Sequence, residues 1–341
     1  MNAPHSVLIV KLSAIGDVIH GIPTAVAIKK SFPDSIIGWA VEGRSADILT
    51  GHTAIDHLIR LPRGWLKSFK HVAHLRRQLK TFNADIVVDL QGLLKSGVVT
   101  MLSGSRRRIG HARPESREGA WLSYTDPITS DSEHVVERNL DLLQPLGITK
   151  NAIDFDMPNW PVSQRRTENW LKQLQFLVPP IIINPGAGWK SKRWPPERFS
   201  ALAKAFWQEY QVGSLVVWGG PSEEITAREI VARAGNAAKL APATSLQDLG
   251  ELCRRARLFV SGDTGPLHLA AAVGTPCVGL FGPVPARRNG PYGIEHVAVE
   301  PSSTVRPLWK DRKTDTESMA AISVDQVVTA VKSALDRSNV A

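Results

Sequence analysis

Residues 258–283 read LFVSGDTGPLHLAAAVGTPCVGLFGP. An apolar strand pattern over 257–261 runs into Ser261-Gly262-Asp263-Thr264-Gly265, a helical pattern occupies 265–273, and a second apolar strand pattern covers 276–281. Strand, glycine turn, helix and strand in this order specify a βαβ unit with a sheet covered on both faces. Pro266 suits the first helical turn, where its missing amide is no loss. The amides of Thr264 and Gly265 then lie at a helix N-terminus, where unpaired N–H groups and the dipole favour an anion. Thr264 adds a hydroxyl donor, and His268 reaches the same mouth. The same residues also describe a capped helix with a buried Asp–Thr hydrogen bond and a packed histidine.

The alternation extends outward in both directions. Toward the N-terminus of this half, strands are expected at 180–184, 214–218 and 238–240, with helices at 196–210, 223–234 and 245–256. Ser245 with Asp248 suits a capping box. A helix is expected at 324–335. The first half repeats the plan, with strands at 7–12, 35–42, 57–61, 84–90 and 107–111 and helices at 18–30, 45–50, 65–82, 94–103 and 133–146. Between the halves, residues 151–164 (NAIDFDMPNWPVSQ) carry two prolines and little periodicity and read as a linker. The pattern predicts an α/β protein of two doubly wound, Rossmann-like domains facing a central cleft, with ligands beyond the carboxyl ends of the strands. The expected boundaries are 1–158, 159–322, and a C-terminal helix segment 323–341 packing back toward the first domain.

Three turns of the second half are suited to a nucleotide diphosphate. The first is the 261–268 turn. The second is 184–194, NPGAGWKSKRW, where Gly186 and Gly188 admit a phosphate to the backbone and Lys190, Lys192 and Arg193 supply charge. It lacks the Walker spacing, and an ordinary glycine turn with solvated lysines would read alike. The third is 218–224, WGGPSEE. Ser222 suits a helix cap with Glu223 and Glu224 in the first turn, and one of these acids can accept from a ribose. No G-x-G-x-x-G occurs in the first strand–turn–helix unit, which disfavours a dehydrogenase-type site.

The 341 residues are 43% apolar, which excludes a disordered chain. The two cysteines, Cys253 and Cys277, make neither a disulfide framework nor a metal cluster and suit a reducing compartment. No signal peptide pattern opens the chain, and no apolar run approaches the roughly 20 residues of a membrane span. The net charge is +9, and its placement is informative. Residues 60–80 hold Arg60, Arg63, Lys67, Lys70, Arg76, Arg77 and Lys80 with no acid, opposite an apolar stripe that includes Trp65 and Phe69. Such a segment lies on an anionic membrane, receives a phosphorylated lipid, or is a surface helix packed on the sheet. A second cluster holds Arg106, Arg107, Arg108, Arg113 and Arg117, and Lys95 follows the strand end at Asp89.

Taken in order, KLSAIGDVIHGIP (11–23), DLQGLLKSG (89–97), the KSKRWP turn, WGGPSEE and the 261–283 block resemble the lipopolysaccharide heptosyltransferases of glycosyltransferase family 9, and heptosyltransferase I above all. The resemblance covers about residues 7–335. It implies the GT-B fold, with the acceptor in the first domain and ADP-heptose in the second. It implies an inverting transfer of L-glycero-D-manno-heptose to a Kdo residue of the lipid A inner core, at the cytoplasmic face of the inner membrane. Asp17 matches the catalytic base, in an S-x-x-G-D turn whose Ser13 and Gly16 border the acceptor. Lys192 matches the lysine that steadies the donor phosphates. Asp263, Thr264, Gly265 and His268 match the donor block, with Gly186, Ala187 and Gly188 in the neighbouring turn. Glu223 matches the ribose-binding acid, with Glu224 as the alternative. Arg60, Arg63, Lys67 and Lys70 occupy the variable loop that meets acceptor phosphates, joined by Lys95 and Arg117. Ala187 and Gly188 stand where heptosyltransferase I often carries hydroxyl residues, so those side-chain contacts are lost or replaced by backbone amides.

The expected reaction uses no metal or other cofactor, since no Asp-x-Asp motif ends a strand. A monomer that binds no nucleic acid is expected. The rival readings are a family 9 enzyme using another nucleotide sugar or acceptor, a basic membrane- or nucleic-acid-binding module, and a non-hydrolysing sugar epimerase of the same architecture.

Overall fold

The computed structural model describes residues 3–149, 153–302, 305 and 307–338. The chain divides into two compact units, Met1–Pro158 and Asn159–Ala341. In the first unit the strands are β1 (Ser6–Val10), β2 (Ile36–Glu42), β3 (His57–Leu61), β4 (Ile86–Asp89), β5 (Arg107–His111) and β6 (Asp126–Ile128). In the second they are β7 (Ile181–Asn184), β8 (Ser214–Val216), β9 (Ala238–Leu240), β10 (Leu258–Gly262), β11 (Cys277–Leu280) and β12 (Val297–Val299).

Both sheets are wholly parallel, ordered β3-β2-β1-β4-β5-β6 and β12-β11-β10-β7-β8-β9. Counted from the first strand of each unit, the two orders are the same doubly wound one, with switch points between β1 and β4 and between β7 and β10. The central strands follow from their sequences. Val7 to Val10 and Ile181 to Ile183 have no exposed surface, as strands covered on both faces require. Each such side chain contributes about 1.5–3 kcal/mol through burial. β6 and β12 complete the two edges and are additions to the strands expected from sequence.

Several helices differ from expectation. The helix expected over 65–82 is split. Trp65 is buried in the first unit's core, Trp65–Lys67 is a short 3-10 turn, and Ser68 caps a separate helix, Phe69–Phe82, accepting the His71 N–H at 3.4 Å. The 151–164 linker already contains helical residues, because Pro161–Gln173 is a helix; Asn151 and Ala152 lie outside the described residues. The C-terminal segment 323–341, expected as a helix packing back toward the first domain, forms the helix Val324–Ser338. Its Val327, Ala330, Val331, Ala334 and Leu335 join the second unit's core, where it lies against β11, β12 and the helix Pro196–Tyr210. Residues 339–341 are outside the described residues.

Candidate active site

The second unit gathers its chemistry at the β7–β10 switch point. Asn184 and Ser261 are register partners at the ends of these strands. The Asn184 side-chain amide donates to Ser261 Oγ at 2.9 Å and to Thr264 Oγ1 at 3.3 Å, and the two hydroxyls lie 3.0 Å apart. Thr264 caps the helix Gly265–Ala272, its hydroxyl accepting the Leu267 N–H at 3.4 Å. Both parts of the earlier alternative are therefore partly right: the turn is a capped helix, and it still presents the Gly265 N–H at the first helical position, where no intrahelical partner exists. The cap ties Thr264 to Ser261 and Asn184 rather than to Asp263.

Asp263 is buried and holds three partners. Lys192 pairs with its Oδ2, while Oδ1 lies 3.4 Å from His268 Nε2 and accepts from Asn289 Nδ2 at 3.1 Å. Burial by itself would raise this carboxyl, but the His268 hydrogen bond and the Lys192 charge outweigh it and hold it down at about 2. His268 is buried and packs onto Asp263. Gly262 makes the pairing sterically possible. A Cβ there would lie 2.6 Å from the Lys192 carbonyl oxygen, so only glycine lets the lysine turn approach the strand end.

Among the three cations of 184–194, the structure separates the roles. Arg193 folds back and donates to the Ala187 carbonyl at 3.2 and 3.3 Å, Lys190 is exposed, and Lys192 alone faces Asp263. Lys192 Nζ also sits 4.6 Å from the Trp189 ring centroid. Gly188 is exposed. In the third turn Ser222 is not the cap. The helix Pro221–Ala234 has Gly220 as its N-cap, and Glu223 Oε2 accepts the Gly219 N–H at 2.8 Å. Glu224 turns outward to Arg228, 2.6 Å away. Glu223 also rests against Gly186, where any Cβ would collide with its carboxylate. Of the two acids, Glu223 belongs with the phosphate-type turns.

In the first unit the β1–β4 switch point is tied by one side chain. Gln91 Oε1 accepts the Leu12 N–H at 2.7 Å and the Ser13 N–H at 3.4 Å. Asp17 lies in the first turn of the helix Ile15–Ser31, exposed beside half-buried Gly16, and its Oδ2 accepts the Ala14 N–H at 3.0 Å. Ser13 is exposed in the same turn. Behind this turn Asp89 is fully buried. It accepts from the Gln91 and Gly92 N–H groups at 2.8 and 3.2 Å and from the Tyr124 hydroxyl at 2.9 Å. Burial raises its carboxyl against the opposing pull of those bonds. His111, at the end of β5, is lowered to about 4 by burial first and then by the charges of Lys11 and Arg138.

The expected acceptor cations divide. Arg63, Lys67, Lys70 and Arg117 are exposed, and the Arg117 N–H donates to the Gly92 carbonyl at 2.8 Å. Arg60 lies in β3, as the strand expected at 57–61 requires and not in the loop implied by the resemblance, and strand alternation turns it outward to Asp47 at 3.1 Å and Thr50 Oγ1 at 2.7 Å. Lys95 sits 3.5 Å from Glu42. Burial pushes the thiols of Cys253 and Cys277 up, so neither is a nucleophile at neutral pH. Asn184, Asn289 and Gln91 were missed by sequence reasoning. Among the described residues, no group of three or more His, Cys, Asp or Glu is arranged to hold a metal ion.

The comparisons with known proteins bear on these turns. The family model for glycosyltransferase family 9 (heptosyltransferase) matches residues 72–318. Lipopolysaccharide heptosyltransferase 1 of Pseudomonas aeruginosa is 29% identical over 327 residues, 90% of each chain. Escherichia coli heptosyltransferase WaaC, solved with ADP, superposes with a TM-score of 0.76 at 24% identity, covering 98% of this chain and all of that one. A family 9 glycosyl transferase from Veillonella parvula gives a TM-score of 0.82 at 21% identity, covering 98% of each chain. The fold is thus the GT-B type found in heptosyltransferases. The chain belongs to glycosyltransferase family 9, the heptosyltransferase family, and is a glycosyltransferase.

Proposed function

We propose that this protein transfers L-glycero-D-manno-heptose from ADP-heptose to Kdo of the lipid A inner core, with inversion at the transferred carbon. The observation that carries the reading is the Lys192–Asp263–His268–Asn289 cluster beside the Gly265 helix N-terminus, with Glu223 at the adjoining turn. A cation, an unpaired amide and a carboxylate in that order match a diphosphate followed by a ribose. WaaC has been solved with ADP and with ADP-2-deoxy-2-fluoro heptose, the latter with a TM-score of 0.76 at 25% identity, which supports the choice of nucleotide.

In this reaction Asp17 takes the proton of the acceptor hydroxyl as the sugar bond forms. Lys192, the Gly265 N–H and the helix dipole stabilise the charge that develops on the departing ADP. Thr264 and Asp263 hold those donors in place, and Glu223 accepts from the ribose hydroxyls. Arg63, Lys67, Lys70 and Arg117 meet acceptor phosphates. Phe69 is 96% exposed among Lys67, Lys70 and His71, a combination suited to an anionic lipid surface at the cytoplasmic face of the inner membrane. Among the described residues no helix is long and apolar enough to cross a membrane. We propose that the enzyme works as a monomer, with these side chains in place of a metal cofactor.

The nucleotide reading is tested through Gly186. The three atoms nearest an alanine Cβ there are the carboxylate carbon and oxygens of Glu223, the far end of a flexible side chain, so the substitution displaces the carboxylate. Losing a hydrogen bond to a charged group is worth about 1.5–3 kcal/mol. Calorimetry is expected to show wild-type binding of ADP in preference to UDP or GDP, weakened about tenfold or more by Gly186→Ala. Equal binding of all three nucleotides, or no effect of the alanine, would contradict the assignment.

A further inference from the structure

Trp189 carries three cations. Lys192 Nζ lies 4.6 Å from its ring centroid, Lys313 Nζ 5.1 Å and the Arg312 guanidinium carbon 5.8 Å. Arg312 also lies 4.0 Å over the ring of Trp309, so two indoles position one guanidinium. One of its terminal nitrogens donates to the Trp309 carbonyl, while its Nε is buried and has no hydrogen-bond partner. Of the three cations, only Lys192 has a carboxylate partner among the described residues. Asp315 is occupied by Ser318, accepting its N–H at 3.2 Å and its hydroxyl. Among the described residues no ion pair reaches Arg312 or Lys313.

Aromatic faces attract each cation, yet three like charges gathered within about one Debye length repel one another. The arrangement is favourable when an anion joins it, and a cluster of one sign concentrates anions locally. The arginine is the informative member. Its planar guanidinium, stacked on the Trp309 indole and facing Trp189, suits an oxyanion, for which a lysine is a poor substitute. Trp189 stands three residues before Lys192 in the turn that follows β7. Lys192 and Arg312 are thus gathered at one indole, and an anion held by Lys192 is within the field of the Arg312 charge.

We propose that Arg312 and Lys313 complete the diphosphate site, binding the terminal phosphate of the nucleotide beside Lys192. Residues 307–313 then act as a strap whose Trp309 and Arg312 stack to present the guanidinium. This inference rests on the donor reading above and adds binding residues to it.

The test compares ADP with AMP on the full chain. Arg312→Ala is expected to weaken ADP about tenfold or more, the size of a charge-assisted hydrogen bond, and to leave AMP within about twofold. Arg312→Lys should fall between, and the salt dependence of ADP binding should flatten in Arg312→Ala. Unchanged ADP affinity in Arg312→Ala overturns the proposal alone. So does a parallel loss of ADP and AMP, which reports a disturbed fold, or a rise in acceptor KM with ADP affinity intact, which reassigns the strap to acceptor phosphates. Wild-type protein that binds no ADP overturns the donor reading and this proposal with it.

Discussion

Asn in place of Asp17 is expected to lower turnover about a hundredfold or more while leaving ADP affinity unchanged. A sugar hydroxyl is a weak nucleophile at neutral pH, and general-base catalysis typically supplies 10²–10⁴-fold. Asp17 has the attributes of such a base: an exposed carboxylate, in the first turn of a helix, after the central strand of its sheet. The substitution is clean because the carboxylate also accepts the Ala14 N–H. An asparagine amide oxygen retains that bond and the start of the helix, but it cannot take a proton. Steady-state kinetics with parallel ADP calorimetry separates the roles. If Asp17→Asn weakened ADP as much as it slowed transfer, the base assignment would be wrong.

Lys192→Ala is expected to behave differently, losing ADP affinity and rate together. Removing one preorganised donor to a developing charge costs about 10²–10³ in turnover. This variant also leaves Asp263 buried with only His268 and Asn289, and breaking a buried pair from one side costs about 3–5 kcal/mol; the partial exposure of Lys192 places the expected loss at or below the lower end. The sign is fixed by the titration. Asp263 is held at about 2, below its ordinary 3.8, so its ionised form stabilises the second unit above about pH 4 and the contribution is lost as pH falls through 2. In the variant the burial that raises this carboxyl is no longer opposed by the Lys192 charge, and His268 and Asn289 alone face it. The double variant Lys192→Ala/Asp263→Asn removes the stranded charge and should regain stability without regaining ADP affinity. Recovery of ADP binding in the double variant would mean that Lys192 serves only to neutralise Asp263.

The central strands were legible because burial on both faces leaves a continuous apolar run, as in Val7 to Val10 and Ile181 to Ile183. β6 and β12 were not. Each has three residues at a sheet edge, and β6 contains Pro127, so neither shows a run or an alternation long enough to register. The helix Pro161–Gln173 buries only Ser163 and Thr167, both polar, and thus lacks an apolar stripe and resembles a linker. The same contrast holds at the site. Thr264, Gly265 and Lys192 stand in glycine turns directly after strands, where local chemistry identifies them. Asn289 reaches Asp263 from a short helix 26 residues away, with no local signal. Glu223 and Glu224 are equivalent in sequence, and only the approach of Glu223 to Gly186 and Gly219 distinguishes them. Arg60 falls both in the strand expected at 57–61 and in the loop implied by the resemblance; β3 bears out the strand, and its alternation turns the side chain to Asp47.

The most direct measurement is the mass of the acceptor after incubation of the protein with ADP-heptose and Kdo-lipid A. The account predicts a gain of one heptose, with release of ADP, abolished by Asp17→Asn. An acceptor of unchanged mass, with protein that binds ADP, would contradict it.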